Sequence, residues 1–308
     1  MILGVDPLGG RSKRSYEWER KQAYLMFIPA FLIVLSIIVF PFGYCIYLSL
    51  FDYNLDMPAL GMRFTGLGNY YKMIFDPRVL NGLKVSFQLI AEALTLEFLL
   101  GFAVAILIYY RKFRGEKIVR ISLIIPMVIP PVVVGLVWKM LYNPDFGIIN
   151  YYLKRLGFNP PAWLGDPNWV IHAIAIVDTW QWFPLVALIL LAGLDSIPIE
   201  LVEAARVDGA SYLSMVRHIF VPLLKPLIAL ALILRLMDVL RMFDTIYVMT
   251  GGGPGVASET LHFYAYKIGL SHGGYISYAA AIAIVLLFMI EFLSTGVLKT
   301  FKIGGEER

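Results

Sequence analysis

Long uninterrupted apolar runs organise this chain. A helix needs about 20 mostly apolar residues to cross the hydrocarbon core of a bilayer. Six stretches reach that length, at roughly 23–50, 85–110, 118–141, 169–194, 225–250 and 276–298. No Asp, Glu, Lys or Arg lies between Ala23 and Leu50. That run exceeds a signal-peptide core and no small-residue cleavage site follows it, so it reads as a mature span. The pattern predicts an all-α, polytopic membrane protein with six transmembrane helices. Tails at 1–22 and 300–308 flank a membrane unit at 23–299, and a polar loop at 195–224 interrupts it.

Composition removes the competing classes. Hydrophobic residues make up 59% of the 308 positions and charged residues 16%. A soluble domain runs nearer half apolar and a quarter charged, so this chain is neither soluble nor disordered. The single cysteine, Cys45, allows no internal disulfide and no cysteine metal cluster. The net charge of +4 gives little case for a nucleic-acid surface.

Lys and Arg are enriched in cytoplasmic loops. On one side lie Arg11, Lys13, Arg14, Arg20 and Lys21, then Arg111, Lys112, Arg114, Lys117 and Arg120. Arg206, Arg217, Lys225, Lys299, Lys302 and Arg308 join them. The opposite side has only Arg63, Lys72, Arg78, Lys84, Lys154, Arg155 and Lys267. Both termini are therefore expected in the cytoplasm. Tyr142, Trp163, Pro167 and Trp169 at the outer edges suit an interfacial aromatic belt.

The segment from Asp195 to Pro226 carries capping signals. Ser196 suits an N-cap, Pro198 a first helical turn, and the helix should run to about Val207. Gly209 can adopt the left-handed conformation that ends a helix. Ser211 should open a second short helix that stops before Pro222. Lipid-binding helices pair clustered Lys/Arg with bulky apolar residues. The first helix here is rich in Ala and Glu, which suits a protein dock better.

Glu203-Ala204-Ala205, Asp208-Gly209-Ala210, Ile219, Pro222 and Pro226 together resemble the EAA loop of ABC importer permeases. Val221 stands where that family usually has Leu, a conservative departure. Phe243-Asp244 through Thr250-Gly251-Gly252-Gly253-Pro254 is similar to the carbohydrate-importing branch, as are Asn143-Pro144 with Phe146-Gly147 and Trp163-Leu164. The six-span layout resembles the glycerol-3-phosphate- and trehalose-type members. The resemblance implies a type I ABC importer fold in a prokaryotic inner membrane and a sugar, polyol or sugar-phosphate substrate. Implied partners are a homologous second permease, a cytoplasmic ATPase dimer and an extracytoplasmic solute-binding protein docked on the 51–84, 142–168 and 251–275 loops. Glu203, Ala204, Ala205, Asp208 and Gly209 would couple to the ATPase, which would carry ATP and Mg; this chain would bind no cofactor.

Ionisable residues at membrane depth mark functional candidates. Arg235, Asp238, Arg241 and Asp244 recur every third residue, a spacing that allows intrahelical pairs or a polar pathway. Carried over from the maltose-type subunit, the substrate pathway would comprise Asp178, Gln181, Trp182, Leu185, Arg235, Asp238, Val239 and Met242. The spans bearing Asp178 and Asp238 would face the second permease. Glu92 and Glu97 suit interhelical polar contacts, while His172 and Glu291 sit near span ends where water is close. The Gly251–Gly255 run suits a flexible turn.

No Gly-x-x-x-x-Gly-Lys-Ser/Thr loop, His-Glu-x-x-His or Gly-x-Ser-x-Gly occurs. The chain is expected not to be an enzyme. The alternative is a secondary transporter driven by an ion gradient, a class that commonly shows internal repeats. No such repeat is visible here, and that class leaves the 203–226 pattern unexplained.

Overall fold

Proline decides where several of the apolar runs start and bend. In the computed structural model, residues 13–110, 114–271 and 273–302 are described. Arg11, Arg111, Lys112 and Arg308, used above for topology, lie outside the described residues. α1 (Lys13–Ser49) begins inside the expected N-terminal tail and carries the first span. A two-residue hairpin follows, with β1 (Phe51–Asp52) antiparallel to β2 (Arg63–Phe64), a minor exception to the all-α prediction. After α2 (Gly68–Phe75), α3 (Pro77–Tyr110) starts well before the predicted 85. Pro77 needs no amide partner in a first turn, and Asp76 Oδ1 accepts the Arg78 amide at 2.9 Å.

The third predicted span is two helices. α4 (Glu116–Val128) and α5 (Pro131–Leu141) meet at a bend of 94°. Pro130 and Pro131 supply no amide, and each pushes the residue before it out of the helical region. Ile129 and Pro130 are accordingly extended, with ψ of 128° and 137°. After α6 (Ile148–Arg155), α7 (Val170–Asp195) matches the fourth predicted span closely.

The loop between α7 and the fifth span also corrects the sequence reading. α8 (Ile199–Val207) starts from Pro198 rather than Ser196, whose hydroxyl instead donates to the Gly193 carbonyl at 2.7 Å. Gly209 takes φ +75°, and Ser211 caps α9 (Tyr212–Met215) by accepting the Ser214 amide. The chain does not stop before Pro222. A π-turn at Val216–Phe220, in which the Val221 amide reaches back to the Val216 carbonyl, carries the helix past a residue with no amide. α10 (Val221–Leu240) then ends at Arg241, short of the predicted 250. Arg241 Nε donates to the Met237 carbonyl at 3.0 Å, occupying an acceptor near the helix end. α11 (Asp244–Met249), α12 (Leu261–Tyr266) and α13 (Ile276–Thr300) complete the order. Five helices among the described residues can span a membrane, or six with α4–α5 as one broken span.

α3 and α7 form the centre. A Cβ on Gly101 would stand 2.9 Å from Val186 and 3.0 Å from the Ala187 amide, so this glycine permits the close crossing. Two apolar cores flank that crossing. One joins Leu89, Ile174, Val239 and Phe263; the other joins Ile106, Leu190, Val202, Phe220 and Leu224 at the end bearing α8. α1 lies along α13, and of its span Leu48 and Ser49 at the C-terminal end are buried while the most apolar stretch stays exposed within this chain.

At the end away from α8, ionic contacts tie the connecting segments down. Buried Glu259 receives Arg78 at 2.6 Å and Lys267 at 3.2 Å. Burial pushes the Asp76 carboxyl up, but hydrogen bonds from Tyr278, the Arg78 amide and Tyr264 outweigh it and hold it below the usual carboxylate range. The Gly251–Gly255 turn makes side-chain contacts to the segment that follows it. Ser258 Oγ donates to the Gly253 carbonyl at 2.6 Å, and a Cβ on Gly252 would meet Phe263 at 2.9 Å.

Gly101→Val should cost about 1–3 kcal/mol by overpacking the α3–α7 crossing. Gly43→Ala, with nothing within 4 Å of the new Cβ, should be neutral or slightly stabilising. Thermal unfolding of the purified protein in detergent measures both.

Candidate functional site: a buried charge cluster, a cavity and an exposed loop

The Arg235 guanidinium is 1% exposed and bound from two other helices. Nε and Nη2 donate to the Glu97 carboxylate of α3 at 2.7 and 2.8 Å, a bidentate pairing. Nη2 also donates to Asp178 Oδ2 of α7 at 2.7 Å. The Trp182 ring lies 5.0 Å from the guanidinium carbon, within cation–π range. The predicted intrahelical ladder is therefore secondary. Asp238 stands 3.5 Å from Arg235 and 3.6 Å from Arg241, and its side chain is 48% exposed. Asp178 pairs with Arg235 within its own bundle.

A partly open cavity of about 440 Å³ lies over this cluster. Its lining includes Asp178, Trp182, Arg235, Asp238 and Met242, so five of the eight pathway residues share one space. Gln181, Leu185 and Val239 are not among its lining residues. Gln181 Nε2 donates to the Ile129 carbonyl at 2.8 Å, inside the α4–α5 break, so it holds the hinge. Val239 is buried in the apolar core and Leu185 is half-buried on α7. The lining also takes Pro131, Arg241, Phe243, Asp244, Thr245 and His262. Pro131, Phe243, Thr245 and His262 were not singled out from sequence for this site, because they arrive only through the breaks after α4 and α10. Burial, and then the charge of Arg241, hold the His262 imidazole below its ordinary range.

Glu92 and His172 also meet. His172 Nδ1 lies 2.8 Å from Glu92 Oε2, and Gln88 donates to the other Glu92 oxygen at 3.0 Å. Both Glu92 and Glu97 thus make interhelical contacts, and His172 is one of the partners rather than an isolated span-end residue.

The α8 loop presents a different surface. Val202 anchors it in the apolar core, with Ala205 and Ala210 packed half-buried against that core. Glu203, Ala204, Asp208 and Gly209 are exposed. Val207 and Leu213 are exposed at 87% and 74%, which leaves an apolar surface free beside the acidic residues. Arg120 joins Glu116 on α4 to Asp195 at the end of α7, at 2.6 and 2.9 Å, bracing the loop's base.

Residues 97–299 match the family described as "Binding-protein-dependent transport system inner membrane component". The chain belongs to this family. Its members are transport permeases rather than enzymes, and the ion-gradient-driven alternative is set aside. The chain is 36% identical to the trehalose/maltose transport system permease protein MalF of Thermococcus litoralis, over 92% of this chain and 96% of that one. It is 35% identical to the sulfoquinovosyl glycerol transport system permease protein SmoG of Agrobacterium fabrum, over 91% and 89%. The fold matches a chain in the crystal structure of a bacterial ABC transporter involved in import of the acidic polysaccharide alginate. That match has a TM-score of 0.80 at 21% identity and covers 96% of this chain and all of that chain.

Removing one partner of a buried charge pair costs about 3–5 kcal/mol, and without Glu97 the buried Arg235 keeps only Asp178 at hydrogen-bond distance. Glu97→Ala should therefore lower recovery of folded, assembled protein sharply. Asp238→Ala removes only a loose, half-exposed pair and should cost under about 1 kcal/mol. Size-exclusion yield and thermal unfolding of both variants in detergent separate these outcomes.

Proposed function

We propose that this chain forms half of the transmembrane pathway of an ATP-driven sugar importer in a prokaryotic inner membrane. The observation that carries the reading is the cavity that joins the Trp182 ring and the Asp238 carboxylate to the mouth of the α4–α5 hinge. A sugar offers apolar C–H faces to an aromatic ring and hydroxyl donors to carboxylates. The family membership supplies the transport context, and the named relatives support a carbohydrate.

In this reading a homologous second permease closes the other half of the cavity, and lipid surrounds both. A solute-binding protein on the outside delivers the sugar to the segments around α2, α6 and the Gly251–Gly255 turn. Both termini and the α8 loop lie in the cytoplasm. There a separate ATPase dimer, which holds ATP and Mg, docks on Glu203, Ala204, Ala205, Asp208 and Gly209. α9, the π-turn and α10 form one continuous rod, so a push on the loop reaches Arg235 directly. The hinge held by Gln181 lets α5 follow.

Two variants test the two halves. Gly209→Val forces a β-branched residue into a left-handed conformation and distorts the dock. ATP hydrolysis in the reconstituted transporter should then stop responding to loaded binding protein while the subunit remains in the membrane. Unchanged stimulation contradicts the dock. Trp182→Ala should assemble with its partners yet lower uptake about tenfold; wild-type uptake contradicts the pathway.

A further inference from the structure

The relatives leave the charge of the substrate open, since one is a trehalose/maltose permease and a structural neighbour belongs to an importer of an acidic polysaccharide. The charges on this chain's side of the cavity bear on that question. Arg235 would be its strongest anion receptor, but Glu97 takes two of its donor positions from behind and Asp178 a third contact. Glu97 is 0% exposed and does not line the cavity, so its role is to cancel the guanidinium and leave the substrate face free. The remaining lining charges are Asp178, Asp238 and Asp244 against Arg241. Arg241 is itself engaged, with Nε on the Met237 carbonyl and Nη2 facing Asp238. His262 adds no positive charge near neutral pH, because burial and Arg241 hold it neutral. Counting Glu97, four carboxylates face two guanidiniums. Such a cavity offers acceptors to hydroxyl donors and repels a carboxylate, sulfonate or phosphate.

We infer that Glu97 is a specificity-determining residue that neutralises Arg235 and so restricts the cavity to uncharged sugars, excluding anionic ones. This rests on the reading of the cavity as the sugar site. Glu97 acts through Arg235, and its conservative variant Glu97→Gln keeps a carbonyl acceptor for the guanidinium while removing the negative charge. The cavity and its cluster then hold three carboxylates against two guanidiniums, one negative charge fewer than in the wild type.

The test uses the assembled transporter, with both permeases and the ATPases, in lipid nanodiscs and without binding protein. Saturation-transfer NMR compares trehalose with trehalose 6-phosphate on the wild type, Glu97→Gln, Asp238→Asn and Trp182→Ala. Wild type should favour trehalose at least about tenfold. Glu97→Gln should shrink that preference about tenfold, equivalent to about 1.4 kcal/mol, and half-exposed Asp238→Asn should shrink it in the same direction. The size difference between the probes cancels in the ratio of variant to wild type. Should Glu97→Gln fail to assemble, Asp238→Asn decides. Equal wild-type signals overturn the inference. So does an unchanged preference in the assembled charge variants while Trp182→Ala abolishes the trehalose signal. An intact trehalose signal in Trp182→Ala instead overturns the cavity as the sugar site, and the inference with it.

Discussion

A guanidinium at membrane depth must be fully paired, and the position of Arg235 constrains much of this structure. Its partners come from α3 and α7, so one ionic cluster fixes the register of three helices. The cluster sits at the seam between the two apolar cores, with Ala93 and Ala105 on either side of Glu97 along α3 and Ala175 and Val186 on either side of Asp178 along α7. Apolar packing alone would tolerate a slip along those helices. Two carboxylates that must meet one planar fork do not, because a slip leaves buried charge unpaired.

The helix breaks gather around the same cluster. Pro131 at the α4–α5 bend and Arg241–Thr245 after α10 all reach the cavity above Arg235. Below it the helices are continuous and the loop is braced by Arg120 and Asp195. The molecule thus has a rigid half on the α8 side and a jointed half opposite, with the charge cluster at the boundary. Lys139 Nζ donates to the Val248 carbonyl at 2.9 Å, so the two jointed segments α5 and α11 travel together.

The fold was legible in the sequence wherever length and apolarity alone decide. The spans at 169–194 and 276–298, the loop helix ending at Val207 and the turn at Gly209 appear where the residues imply. Departures came at prolines and at Arg241. A hydropathy run cannot tell a straight span from one broken at Pro130–Pro131, because both halves are equally apolar. Nor does Pro222 announce a π-turn, since its missing amide could equally end the helix. In the site, Asp178, Trp182, Arg235 and Asp238 came from resemblance and from the cost of charge in a membrane. Glu97 was visible as a polar residue in span 2, but its partner was not, because a contact across 138 positions leaves no local signal. His262 and Thr245 were silent for the same reason, being brought to the cavity by the chain's path after α10.

The most direct measurement is a cryo-electron microscopy structure of the whole transporter in lipid nanodiscs, trapped with ATP and its sugar. The account predicts sugar density between Trp182 and Asp238, with Glu97 and Asp178 still holding Arg235. Sugar resolved elsewhere in the pathway, or Arg235 released from Glu97 to bind it, would contradict the account.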